Sequence, residues 1–196
     1  MLHIVDDEEA IRDSLVWLAG SRRIKAAGYD SARAFLDMLG EDYAFRPEGD
    51  CLLLDMRMPD TSGARLFDTL AARGLTGRMP VIFLTGHGDV PMAVDSLKRG
   101  AFDFFEKPFN DNTLMDRVQE ALQASLDAGD QALVQTRLAS LSSREREVMD
   151  LTLDGKMNKV IADMMGISMR TVEVHRSHIL AKMHVRTAVE LARLLK

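Results

Sequence analysis

Cys51-Leu52-Leu53-Leu54-Asp55-Met56-Arg57-Met58-Pro59 is the stretch on which the fold turns. Four successive residues that are apolar or nearly so read as a strand buried on both faces, as in a parallel sheet. Asp55 follows at once, and Pro59 prevents the strand from continuing. Sites in open α/β sheets lie at the carboxyl ends of strands, so Asp55 stands where such a protein does chemistry.

Upstream, Leu2-His3-Ile4-Val5 reads as a short strand ending in Asp6-Asp7-Glu8-Glu9, followed by a helix with Ile11, Leu15 and Leu18 at helical spacing. The best candidate for a second strand is 23–27, ended by Gly28. Ser31 or Asp30 can cap the next helix, which buries Ala34, Phe35, Met38 and Leu39. Downstream come a helix carrying Leu66, Phe67 and Leu70, then an apolar strand, 81–84, ending in Thr85-Gly86-His87-Gly88. Asp89 is placed to cap a helix that tolerates Pro91 in its first turn and stops at Gly100. Residues 102–106 form a fifth strand, Lys107-Pro108-Phe109 follow, and a helix runs over about 112–126. Strand then helix, five times, is the pattern of a doubly wound parallel sheet.

Beyond this the periodicity changes. Residues 128–140 read as a partly helical linker, and 143–153, 158–165, 168–183 and 187–195 as four helices with no strand between them. The chain of 196 residues therefore divides into an α/β domain, 1–127, and an all-α domain, 141–196. The net charge of -5 is unevenly spread: -8 up to Asp127 and +3 from Ser140 onward. Only the second domain can face a polyanion. A single cysteine, Cys51, excludes an internal disulfide and reads as a core thiol. No run of eighteen apolar residues and no secretory leader pattern is present, which points to a cytoplasmic protein without a membrane anchor.

Three strand ends deliver Asp6-Asp7, Asp55 and Thr85 to one crevice, and a fourth delivers Lys107. Taken singly, each has a plainer use: helix cap, turn hydroxyl, solvated lysine. Together, crowded carboxylates repel unless a cation lies among them, and hard oxygen donors suit Mg²⁺, with Mn²⁺ able to substitute. Such a site suits phosphoryl transfer to Asp55, with Lys107 as further positive charge and the Thr85 hydroxyl as donor.

Val5-Asp6-Asp7-Glu8, Leu54-Asp55-Met56-Arg57-Met58-Pro59, Thr85-Gly86-His87 and Phe105-Glu106-Lys107-Pro108-Phe109 resemble, in order and spacing, the receiver domain of bacterial two-component response regulators. The resemblance implies a flavodoxin-like receiver in which a cognate sensor histidine kinase phosphorylates Asp55. It also implies Mg²⁺ held by Asp6 or Asp7, Asp55 and the backbone carbonyl of Arg57. It implies a cis Lys107-Pro108 bond, influence of Arg57 and His87 on phosphate lifetime, and a switch in which Thr85 and Phe104 reorient. Spacing alone leaves Phe104 open to being a fixed core aromatic. Beyond accepting and slowly losing a phosphoryl group, no enzyme activity is expected.

In the second domain, Ser142 or Ser143 with a glutamate three or four residues on forms a capping box. A short helix, a turn through Gly166 and a longer helix have the form of a helix-turn-helix, as do many small bundles. Residues 141–195 resemble the DNA-binding domain of the NarL/FixJ (LuxR-type) regulators, and Thr171-Val172-Glu173-Val174-His175-Arg176 resembles the FixJ branch. The resemblance implies a recognition helix over about 168–183. Glu173, Val174 and Ser177 are placed for base edges, and Lys159, Arg170, Thr171, Arg176 and His178 for phosphates or sugars. For Arg176 a contact inside the domain, to an acid such as Glu147, is the even alternative. A local charge of +3 is modest, so affinity gains from two copies on two half-sites. A homodimer formed on phosphorylation, promoter DNA and RNA polymerase are the implied partners of such a transcription activator. The alternative is a phosphorylation-switched module whose helical domain binds protein.

Overall fold

The computed structural model describes residues 1–86 and 90–195. They form two compact units, Met1–Gly129 and Asp130–Lys196. The first contains β1 (Leu2–Val5), α1 (Glu9–Ser21), β2 (Ala26–Tyr29), α2 (Ala32–Leu39) and β3 (Cys51–Asp55). It continues with α3 (Gly63–Ala72), β4 (Val81–Thr85), α4 (Val90–Lys98), β5 (Asp103–Glu106) and most of α5 (Asp111–Ala139). The strands pair in the order β2-β1-β3-β4-β5, every neighbour parallel, which is the flavodoxin-like arrangement.

The three central strands are buried at every residue, which is why they are written as unbroken apolar runs. Successive residues of β3 feed opposite faces. Leu52 and Leu54 join Phe35, Phe67 and Phe83, whereas Leu53 joins Leu15, Leu114 and Val118. The edge strand β2 lies further along the chain than its residue types suggest. It begins at Ala26 and includes Gly28, which pairs with Ile4, while Arg23 sits in the preceding turn at φ 60°. An edge strand has little burial to enforce a pattern, so its sequence is weak. Ser31, rather than Asp30, caps α2. The expected Asp89 cap lies outside the described residues.

Where the sequence suggested a helix near 112–126 and then a linker, α5 runs unbroken from Asp111 to Ala139. Its last turns are ordered by Val134 and Leu138, which pack on the second unit's core. That unit holds α6 (Ser143–Leu153), α7 (Asn158–Met165), α8 (Met169–Met183) and α9 (Ala188–Leu194). The local signals set its joints. Ser142 and Glu145 form a reciprocal capping box, Gly166 ends α7 in the left-handed conformation, and Ser168 caps α8. Val148, Ile161, Val172, Ile179, Met183 and Leu191 fill the core. Among the described residues no helix is long and apolar enough to cross a membrane.

Candidate functional site

The strand order reverses between β1 and β3, and Asp6 and Asp55 lie at the carboxyl ends of these two strands. Both are buried, 0% and 6% exposed. The β3–α3 turn is held against the site by a close approach: a Cβ on Gly63 would lie 2.2 Å from the Asp55 carbonyl oxygen, so only glycine fits. The Gly63 N–H donates to the Met56 carbonyl, and Ser62 caps α3.

Lys107 reaches the pair from the end of β5, 101 residues after Asp6. Its ammonium donates to Asp55 Oδ1 at 2.7 Å and to Asp6 Oδ2 at 2.9 Å. The remaining oxygens are also engaged. Asp55 Oδ2 accepts from the Arg57 N–H at 2.7 Å and Asp6 Oδ1 from the Glu8 N–H at 2.9 Å. Burial raises the Asp55 carboxyl above the usual range and the charge of Asp6 adds to this, against the pull of Lys107. For Lys107 burial acts to lower the ammonium, yet the hydrogen bonds to Asp55 and Asp6 prevail and raise it. The Lys107-Pro108 peptide is cis.

Thr85 ends β4, beside β3, and is fully buried. Among the described residues its Oγ1 has no hydrogen-bond partner, an unusual state for a buried hydroxyl. Phe104 is half-buried, opposite Phe83 in the register of β4 and β5, and packs on the face built by Phe67 and Phe83. The Asp7 side chain is exposed, and its carbonyl accepts from Arg12. Among the described residues no group of three or more acidic, histidine or cysteine side chains gathers as a metal cage. The donor set still fits a hard dication. Two buried carboxylates face one ammonium, all donors are oxygen, and Mg²⁺ takes one or two carboxylates while keeping its waters. His87 lies outside the described residues.

In the second unit, α8 buries Val172, Ile179 and Met183 and exposes Arg170, Glu173, Val174, Ser177 and His178. These exposed positions recur every three or four residues and so make one helical face. Lys159 is exposed on α7, and the Thr171 hydroxyl bonds with the Ser168 hydroxyl at 2.8 Å. Arg176 has a partner inside the unit. It is half-buried, and its guanidinium donates to Asn158 Oδ1 at 2.8 Å, joining α8 to α7. The intradomain partner is thus Asn158, not Glu147. Glu147 pairs with Arg144.

Sequence reasoning passed over Arg12, Glu8 and Gly63, because their roles rest on main-chain atoms. Their only signal was position: a cation one turn into α1, and a glycine where a turn enters α3.

Residues 2–119 match the response regulator receiver domain family, and residues 139–195 match the bacterial regulatory proteins of the luxR family. The C4-dicarboxylate transport transcriptional regulatory protein DctR of Rhodobacter capsulatus is 52% identical over 98% of each chain. The transcriptional regulatory protein FixJ of Rhizobium meliloti is 41% identical over 98% of this chain and 93% of its own. Among solved structures, full-length FixJ from B. japonicum is 40% identical and covers 98% of this chain and 94% of its own, with a TM-score of 0.59. The response regulator StyR is 38% identical and covers 99% and 96%, with a TM-score of 0.71.

Proposed function

The chain belongs to the two-component response regulators that join a receiver to a LuxR-type DNA-binding domain, and on that premise we propose that Asp55 is the phosphoacceptor whose charge state governs promoter binding. The observation that supports this most is Lys107 bridging Asp6 and Asp55 next to the unpartnered, buried Thr85 hydroxyl. Residues 1–127 act as the receiver, 128–140 as the connection and 141–196 as the DNA reader.

A phosphohistidine of the cognate sensor kinase is the donor. An Asp55 carboxylate oxygen forms the new bond to phosphorus, the P–N bond breaks, and its electron pair stays on the imidazole, which takes up a proton. Asp6, the exposed Asp7 and Asp55, with the Arg57 carbonyl, are the residues that would hold Mg²⁺. When bound, the ion neutralises charge developing on the phosphoryl oxygens. Lys107 supplies a fixed positive charge to the acyl phosphate. The Thr85 hydroxyl, which lacks a partner among the described residues, gains one in a phosphoryl oxygen. Phe104 moves into the space Thr85 leaves, which alters the surface around α4, β5 and α5. That altered surface favours a homodimer, and two copies present two α8 helices to a two-half-site promoter in the cytoplasm. RNA polymerase is the further partner, and slow hydrolysis of the acyl phosphate ends the signal.

On DNA, Glu173, Val174 and Ser177 read base edges, while Lys159, Arg170, Thr171 and His178 meet the backbone. The exposure of this face of α8 supports that assignment. Arg176 acts by bracing α7 on α8. Two measurements test the reading. Asp55→Asn should take no label from acetyl phosphate, and the phosphorylated protein should bind duplex DNA with an affinity that falls steeply with salt. Undiminished labelling removes the acceptor assignment; binding that ignores salt removes the DNA reader in favour of a protein-binding module.

A further inference from the structure

The loop between β1 and α1 carries the acidic edge of the site, and one side chain grips it from the far side. Arg12 Nη1 donates to the Asp6 carbonyl at 2.8 Å and to the Asp7 carbonyl at 3.0 Å. The arginine is half-buried, and its stem lies against β2, where Gly28 presents no side chain. A Cβ there would sit 3.4 Å from Arg12 Cβ and 3.5 Å from Cδ.

A trans peptide points its carbonyl and its N–H in opposite directions. Holding the Asp7 carbonyl on Arg12 therefore turns the N–H of the same peptide, that of Glu8, the other way. That N–H donates to Asp6 Oδ1 at 2.9 Å, while Asp6 Oδ2 accepts from Lys107. Arg12, one peptide plane, the Asp6 carboxylate and Lys107 thus form a continuous chain. The Asp6 main chain is pinned as well, its N–H donating to the Tyr29 carbonyl at 3.2 Å.

We propose that Arg12 is a positioning residue of the phosphoacceptor site: it orients the Asp7–Glu8 peptide and through it fixes the Asp6 carboxylate that would bind Mg²⁺. The inference rests on the phosphoacceptor reading above. Partners that orient a metal's ligands carry much of a site's affinity, and losing one costs roughly ten- to a hundredfold. Arg12→Met keeps the stem and removes the donors. Arg12→Lys restores one donor group at the end of a similar stem.

The test is calorimetric titration of Mg²⁺ into the unphosphorylated full-length protein, with thermal unfolding in the absence of metal as the fold control. Arg12→Met should weaken Mg²⁺ binding by roughly tenfold or more, with Arg12→Lys recovering part of the loss. Glu8→Pro deletes the N–H that Arg12 orients, at a position whose φ of -82° proline accepts, and Glu8→Ala controls for the lost carboxylate. If Arg12 works through that N–H, Arg12→Met adds little in the Glu8→Pro background. Should Arg12→Met fail to fold, Arg12→Gln, polar but too short to reach the carbonyls, replaces it. Unchanged Mg²⁺ affinity in a folded Arg12 variant, or a full additive loss in the double variant, overturns the inference while leaving the phosphoacceptor reading intact. A wild-type protein that takes up no Mg²⁺, or an Asp55→Asn variant that still labels, overturns both.

Discussion

Lys182, near the end of α8, donates at 2.7 Å to the buried carboxylate of Glu145 at the start of α6. The same carboxylate closes the capping box with the Ser142 N–H, and His178 Nδ1 lies 3.8 Å from its other oxygen. A cap that sequence assigns to α6 alone therefore also ties down α8, the helix proposed to read DNA.

The hydrogen bond from Lys182, helped by the Ser142 N–H, holds Glu145 down at about 2. A carboxyl depressed in the folded state stabilises above its unfolded pKa and loses that contribution as pH falls through the folded one. Lys182 is partly exposed, which screens the pair, so about 2 kcal/mol is expected at neutral pH. In thermal unfolding, the gap between wild type and Glu145→Gln should close between about pH 4.5 and pH 2. A gap that is constant with pH would sink this assignment.

Asp55 has the opposite sign. Burial raises its carboxyl, so the stability it contributes is present at low pH and is lost as pH rises through the folded value. Where it is ionised, the group is a strain on the fold. Asp55→Asn should melt at or slightly above the wild-type temperature although it accepts no phosphate. A melting point several degrees lower would contradict this.

Among the described residues the buried Thr85 hydroxyl has no partner. Replacing it with an isosteric methyl in Thr85→Val should stabilise the unphosphorylated receiver by about 1 kcal/mol. Phosphate uptake should persist, but phosphorylation should no longer tighten DNA binding. Retained stimulation in that variant would mean the switch runs through other groups.

Gly63 lies against the Asp55 carbonyl, so Gly63→Ala should cost roughly 3 kcal/mol and slow labelling by displacing the acceptor strand. Wild-type stability in urea unfolding would show that the turn can yield.

Arg170 and Arg176 lie on one helix but should fail differently. Arg170→Ala removes an exposed cation and should lower the salt dependence of DNA binding by about one phosphate contact with no change in melting. Arg176→Ala leaves Asn158 without its donor and should lower the melting temperature first. A large loss in salt slope from Arg176→Ala at unchanged stability would return it to the DNA face.

Much of this was legible in residue order. Strands buried on both faces are apolar without interruption, so β1, β3 and β4 declared both themselves and the residues at their ends: Asp6, Asp55 and Thr85. The four helices of the second unit were equally plain, because Ser142, Gly166, Ser168 and Thr187 act within a few residues of where they stand. Two elements were less clear. The edge strand β2 carries no continuous apolar run, and α5 extends because its last turns find a core to pack on, which no window of sequence contains.

What sequence by itself determined, then, is the alternation of elements and the residue types at each strand end, since propensity, periodicity and capping are local. What only the tertiary structure decided is which of those residues meet. Asp6 turns in to Lys107 and Asp7 turns out; Arg176 finds Asn158; the Asp7–Glu8 peptide is set by Arg12. Such choices depend on which face one residue's side chain takes, and on partners as far as 101 residues away, which are brought within 3 Å only when the sheet assembles.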